Sequence, residues 1–103
     1  MRRVLAFPMF LAGVLAGCDA VEESRRAIEE SCIANGESAE ICACLARESA
    51  ERLDPAVLEL MVMGAKGEPR QASERARTLT PTLQTQLALD VPVIMAECGM
   101  PRS

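Results

Sequence analysis

The side chains with chemistry to offer are sulfur side chains. The chain has 103 residues, with five cysteines and six methionines but no His, Trp or Tyr. Cys42 and Cys44 stand as a C-x-C pair in Ile41-Cys42-Ala43-Cys44. Two thiolates, joined by the thioethers of Met61, Met63, Met95 and Met100, are soft ligands of the kind that suits Cu(I), and neighbouring thiols also suit redox exchange. Three points weigh against that use. No imidazole backs the sulfurs. Met61 and Met63 are two residues apart on one helix and point in different directions. C-x-C is also a weaker signal than C-x-x-C at a strand–helix turn. The competing reading pairs Cys32, Cys42, Cys44 and Cys98 into two disulfides and uses methionine as filler in a core without rings. The pattern favours this second reading, with no metal site and no cofactor; periplasmic thiol-redox or Cu(I) handling through Cys42, Cys44 and the methionines is the alternative.

Other chemistries find little purchase. Glu22, Glu23, Glu29, Glu30, Glu48 and Glu51 fall at helix-surface spacing with arginines between them, the pattern of solvated faces with i,i+4 pairs. Ser, Thr and Lys occur without a partner base at a recognisable spacing, so no catalytic residue is expected and the chain reads as a non-enzyme. Lys66, Arg70, Arg75 and Arg77 form a mild basic stretch, offset by Glu68 and Glu74. It can meet lipid headgroups or an acidic partner, or simply be a polar helix. Fifteen acidic residues against eleven basic ones, and no aromatic ring beyond Phe10, argue against nucleic acid.

The first residues read as an address. Arg2 and Arg3 precede an apolar run from Val4 to Leu15, too short to span a bilayer comfortably and typical of a secretory signal. Leu15-Ala16-Gly17-Cys18 follows. These four residues resemble the lipobox of bacterial lipoproteins at every position. The resemblance implies removal of 1–17 as a signal peptide, acylation of Cys18, and a mature domain over 18–103 tethered by lipid to the periplasmic face of a cell membrane. One acyl chain binds a membrane only marginally, so stable tethering takes more than one. Asp19 follows the cysteine, and in the enteric lipoprotein system an aspartate there marks inner-membrane retention. Asp19 also suits a helix cap.

The elements that must position the remaining cysteines are all helical. Asp19 with Glu22 resembles a capping box for a first helix carrying Val21, Ile28 and Cys32 on one face, which Asn35-Gly36 ends. Ser38 caps a second helix with Ile41, Cys42, Leu45 and Leu53 inward. Asp54-Pro55 opens a third, apolar almost all round and hence central, ending at Gly64 or Gly67. Arg70 to Thr78 is a short polar helix. Thr80-Pro81 opens a last helix to about Cys98, striped by Leu83, Leu87, Val91, Ile94 and Cys98, with a kink expected at Pro92. No segment alternates as a strand does. The fold class is therefore all-α, a small bundle of four to five short helices stapled by two disulfides.

Four cysteines allow three pairings. Residues 42 and 44 lie about 200° apart on a helix and cannot both face one partner. Cys32–Cys42 would staple the first helical hairpin and Cys44–Cys98 would tie it to the last helix. The swap, Cys32–Cys44 with Cys42–Cys98, is nearly as good. Cys32-x9-Cys42 also resembles half of a twin C-x9-C hairpin, but the second half is absent. A lipid-anchored envelope protein with an interaction or assembly role, partner unspecified, is the functional expectation.

Overall fold

Polar side chains set where the helices begin. A computed structural model describes residues 19–101, and all of its regular structure is helical. Helix α1 covers 19–34 among the described residues. Ser38 then caps α2 (Ala39–Arg52), its Oγ accepting from the Ile41 N–H at 3.2 Å. Asp54 caps α3 (Pro55–Ala65), its carboxylate accepting from the Ala56 N–H at 2.9 Å with Pro55 at the first helical position. Thr80 accepts from the Leu83 N–H and opens the last helical run at Pro81. Each cap satisfies an N–H that the first helical turn cannot bond internally.

The helix ends are as local as the starts. At Gly36, φ is +97°. The Glu37 N–H donates to the Cys32 carbonyl and the Gly36 N–H to that of Ile33, which is a Schellman motif. A side chain at this left-handed position would be strained, so glycine is what lets the chain turn directly from α1 into α2. The same pair of bonds ends α3 at Gly67, so Gly67 and not Gly64 is the stop.

Two expectations need correction. Asp19 already carries helical backbone, so it does not stand ahead of the first helical turn as a cap does, and Glu22 has another partner. Its carboxylate is gripped in fork fashion by Arg25, Nε to Oε1 at 3.0 Å and Nη2 to Oε2. Arg25 stands three residues on, at the spacing that brings side chains together on a helix surface. The short polar helix begins one residue earlier than Arg70, as α4 (Pro69–Ala76), because proline suits the first helical position.

The last helix is continuous but not uniform. It consists of α5 (Pro81–Thr85), a π-helical turn (Gln86–Asp90) and α6 (Val91–Glu97). Within the π turn the Val91 N–H donates to the Gln86 carbonyl, five residues back. Pro92 explains the turn. It has no N–H, and its ring would meet the carbonyl of Ala88 in a regular α-helix. Widening the preceding turn moves that carbonyl away. What stands where a kink is expected is a π turn ahead of Pro92, with the helix running on through it.

The core gathers Ile28 and Cys32 from α1, Cys42, Leu45 and Ala46 from α2, Leu53 at its end, Val57 and Leu58 from α3, and Ile94 and Cys98 from the last helix. Helix α2 packs against both α3 and α6, and α4 rests on α3. Ile94 and Val57 are fully buried and Leu58 is 1% exposed, so each such side chain contributes about 1.5–3 kcal/mol of hydrophobic burial. The apolar α3 buries Val57, Leu58 and Leu60 and half-buries Met61, Val62 and Met63, but the helix that packs against both α3 and α6 and carries both disulfides is α2, so the expected central place of α3 falls to α2. Among the described residues, one polar side chain enters this core. The Ser49 hydroxyl is fully buried and meets no hydrogen-bond partner.

Candidate functional site

The four described cysteines pair off. Cys32 bonds Cys42, with Cα atoms 5.5 Å apart, across the α1–α2 hairpin. Cys44 bonds Cys98, with Cα atoms 5.6 Å apart, and ties α2 to the end of α6. The bridges leave opposite sides of α2, as the angle between positions 42 and 44 requires. They are the pairing favoured above. By the loop-entropy estimate a separation of 10 residues stabilises by about 3 kcal/mol and one of 54 by about 4 kcal/mol. In this state neither Cys42 nor Cys44 offers a thiolate. Cys18, with the lipobox and signal peptide expected over 1–18, lies outside the described residues.

The methionines divide. Met61, Met95 and Met100 pack against the core, whereas Met63 does not join it. Met61 from α3 and Met100 from the C-terminal turn come to the same place, the sides of a cleft of about 200 Å³. Its floor is Ile28 and Leu45, both buried. Asn35 and Glu37, from the turn that Gly36 makes possible, stand at its rim. Cys32 also lines it, so the first disulfide holds one wall rigid. The cleft is an apolar socket with a carboxylate at its mouth. Nothing in the sequence brings residues 61 and 100 together; only the fold does, and neither Asn35 nor Glu37 carries a motif that marks it.

Charge around the bundle is arranged in local networks. Arg25 bridges Glu22 and Glu29, the latter at 3.0 Å. This holds the Glu22 carboxyl below the ordinary glutamate range, through the Arg25 hydrogen bond first, and raises Arg25. Arg52 bonds Glu97 at 2.6 Å and Glu48 at 3.5 Å, and its own pKa is raised chiefly by Glu97. These pairs account for Glu22, Glu29 and Glu48 as the solvated faces that their spacing suggests. The basic stretch separates. Arg75 pairs with Glu59, tying α4 to α3. Lys66 lines a different groove, beside Arg26 and Glu30. Arg70 and Arg77 are exposed on or just beyond α4, which buries no residue.

Among the described residues, no three or more His, Cys, Asp or Glu side chains cluster as a metal site. No helix among them is long and apolar enough to cross a membrane. No protein-family model, no curated protein and no solved structure matches this chain.

Proposed function

We propose that the chain is a cell-envelope lipoprotein, anchored through acyl chains on Cys18, whose helical domain serves a non-enzymatic interaction or assembly role at the periplasmic face of a membrane. The observation that carries this reading is the cysteine arithmetic. Cys32, Cys42, Cys44 and Cys98 are joined in two pairs, which leaves the fifth cysteine to the Leu15-Ala16-Gly17-Cys18 box. Two disulfides in so small a domain fit an oxidising compartment, where thiol oxidation is routine. They also fit a fold whose core alone is marginal. Asp19, next to the acylated residue, favours retention at the inner membrane.

Intact mass of the protein extracted from membranes tests the anchor and the thiols together. The expected species starts at Cys18, carries acyl chains, and takes up alkylating reagent only after reduction. A species that keeps 1–17, or lacks lipid, removes the anchor from the reading. Free thiols before reduction would move Cys42 and Cys44 back toward redox or Cu(I) chemistry. The role is tested by photo-crosslinking in cells from surface positions on several faces, the exposed Leu89, Val93 and Ile33 and the half-buried Glu37 among them. A discrete crosslinked partner is expected, and none from any face overturns the interaction role.

A further inference from the structure

The socket between Met61 and Met100 has a shape and a charge that together select an occupant. Its floor is Ile28 and Leu45 and its sides include Cys32, Ala65 and the two methionines, with Ser31, Asn35 and Glu37 as the polar members of the lining, so most of the contact it offers is apolar. A volume near 200 Å³ is room for one large apolar side chain; an engineered apolar cavity of about 150 Å³ already holds a benzene ring. Two walls are fixed by the disulfide-linked α1 and α2. The other two are unbranched thioethers, which re-pack around differently shaped guests. The site is thus formed in advance yet tolerant of the exact anchor.

The mouth supplies the second criterion. Glu37 is half-buried at the rim and has no ion-pair partner among the described residues. From Ala27 to Ala46 the chain contains Glu29, Glu30, Glu37 and Glu40 but no Lys or Arg. Arg25 is engaged with Glu22 and Glu29; Lys66, next to Ala65 of the cleft, faces the other groove; and Arg102, two residues past Met100, lies outside the described residues. An acyl chain ending in a carboxylate or phosphate would set like charge against Glu37. A guest with a cation beside its apolar anchor would instead complete an ion pair there.

We propose that this socket is the partner-docking site of the domain, and that it receives a peptide segment of another protein carrying one large apolar side chain flanked by Lys or Arg. The proposal rests on the interaction role argued above and gives that role a place and a partner chemistry.

Methionine-methyl NMR of the full chain, with acylated protein in detergent micelles, reads the socket directly. The probes are three synthetic amphipathic peptides: one with a central Leu flanked by Lys, the same with Ala for Leu, and the same with Glu for Lys. The Leu–Lys peptide is expected to shift the Met61 and Met100 methyl signals and leave Met63 in place. Both altered peptides should bind about tenfold more weakly, the scale of one lost anchor or one reversed charge. Glu37→Lys, a change at the half-exposed rim, should weaken the Lys peptide and strengthen the Glu peptide by a similar factor. Four outcomes overturn the proposal. The Met61 and Met100 signals stay still, or they move equally with all three peptides. They move equally in Glu37→Lys. They move on protein concentration alone, which would assign the socket to a second copy. The crosslinking arms separate this failure from that of the broader role: a partner captured from Leu89 or Val93 but not from Glu37 keeps the interaction role and removes the socket from it.

Discussion

The side-chain oxygen of Gln86 accepts the backbone N–H of Asp54 at 2.8 Å, across 32 residues of sequence. Asp54 is itself the N-cap of α3, and Gln86 opens the π turn of the last helix. The irregular turn and the start of α3 are therefore fastened to each other. Gln86→Ala should lower stability by about 1 kcal/mol, the usual net value of such a bond. Gln71→Ala, on exposed α4, should change it by less than about 0.5 kcal/mol. Urea unfolding of the two variants distinguishes them.

Ser49 lies fully buried in α2 with its hydroxyl unpaired. A buried hydroxyl without a partner carries a desolvation penalty of about 1–3 kcal/mol. Ser49→Ala removes the hydroxyl, loses almost no volume and favours helix. The variant should be more stable than the parent by about 1 kcal/mol. A variant less stable than the parent would falsify the burial argument.

The two disulfides should be unequal. Replacing Cys44 and Cys98 together by alanine opens a loop of 54 residues, against 10 for Cys32 and Cys42. The first double variant should lose about 4 kcal/mol and the second about 3 kcal/mol. Denaturant midpoints, taken with the remaining bridge intact, rank them. The socket adds a second readout: losing Cys32–Cys42 should also broaden the Met61 and Met100 methyl signals, since that bridge holds one of their walls.

Much of this architecture was legible because helix ends are written in a few adjacent residues. Ser38, Asp54-Pro55 and Thr80-Pro81 cap the helices that they precede, and Gly36 turns the chain where its neighbours predict. The helical angle between positions 42 and 44 sends the two bridges to different partners; the place of Cys32 and Cys42 on the stripes of Ile28 and Ile41–Leu45, either side of the Gly36 turn, favours the pairing that forms. What was hidden is tertiary. In place of the Asp19 capping box, Glu22 pairs with Arg25, one turn further along the helix surface. The bond from Asp54 to Gln86, and the meeting of Met61 with Met100, join residues whose separation carries no periodic signal. The lack of aromatic rings foretold methionine packing but not that two methionines would line a cleft.

Acid should loosen α1 through Glu22. Its carboxyl sits below the ordinary glutamate range because Arg25 hydrogen-bonds it. The stabilisation from this contact is complete above the ordinary glutamate pKa and fades as pH falls through the lowered folded value. The pair is exposed, so salt should weaken it. A carbon-detected carboxyl titration of Glu22 in the parent and in Arg25→Gln measures the shift. The midpoint should rise in the variant, and an unmoved midpoint would remove Arg25 as its cause.

The π turn before Pro92 also makes the last helix one residue longer than its two faces need. In effect it is an insertion that the helix absorbs by widening, so that α6 delivers Ile94 and Cys98 to the core while Leu89 and Val93 stay outside. Removing one exposed residue of the turn, such as Ala88, and replacing Pro92 with alanine would yield an uninterrupted α-helix of the same phase. Either change alone sets the backbone against itself: the deletion leaves a proline inside a regular helix, and the substitution leaves a surplus residue with nothing to require it. Pro92 and the extra residue thus form a matched pair, and the bridge from Cys44 to Cys98 fixes the phase that both must keep.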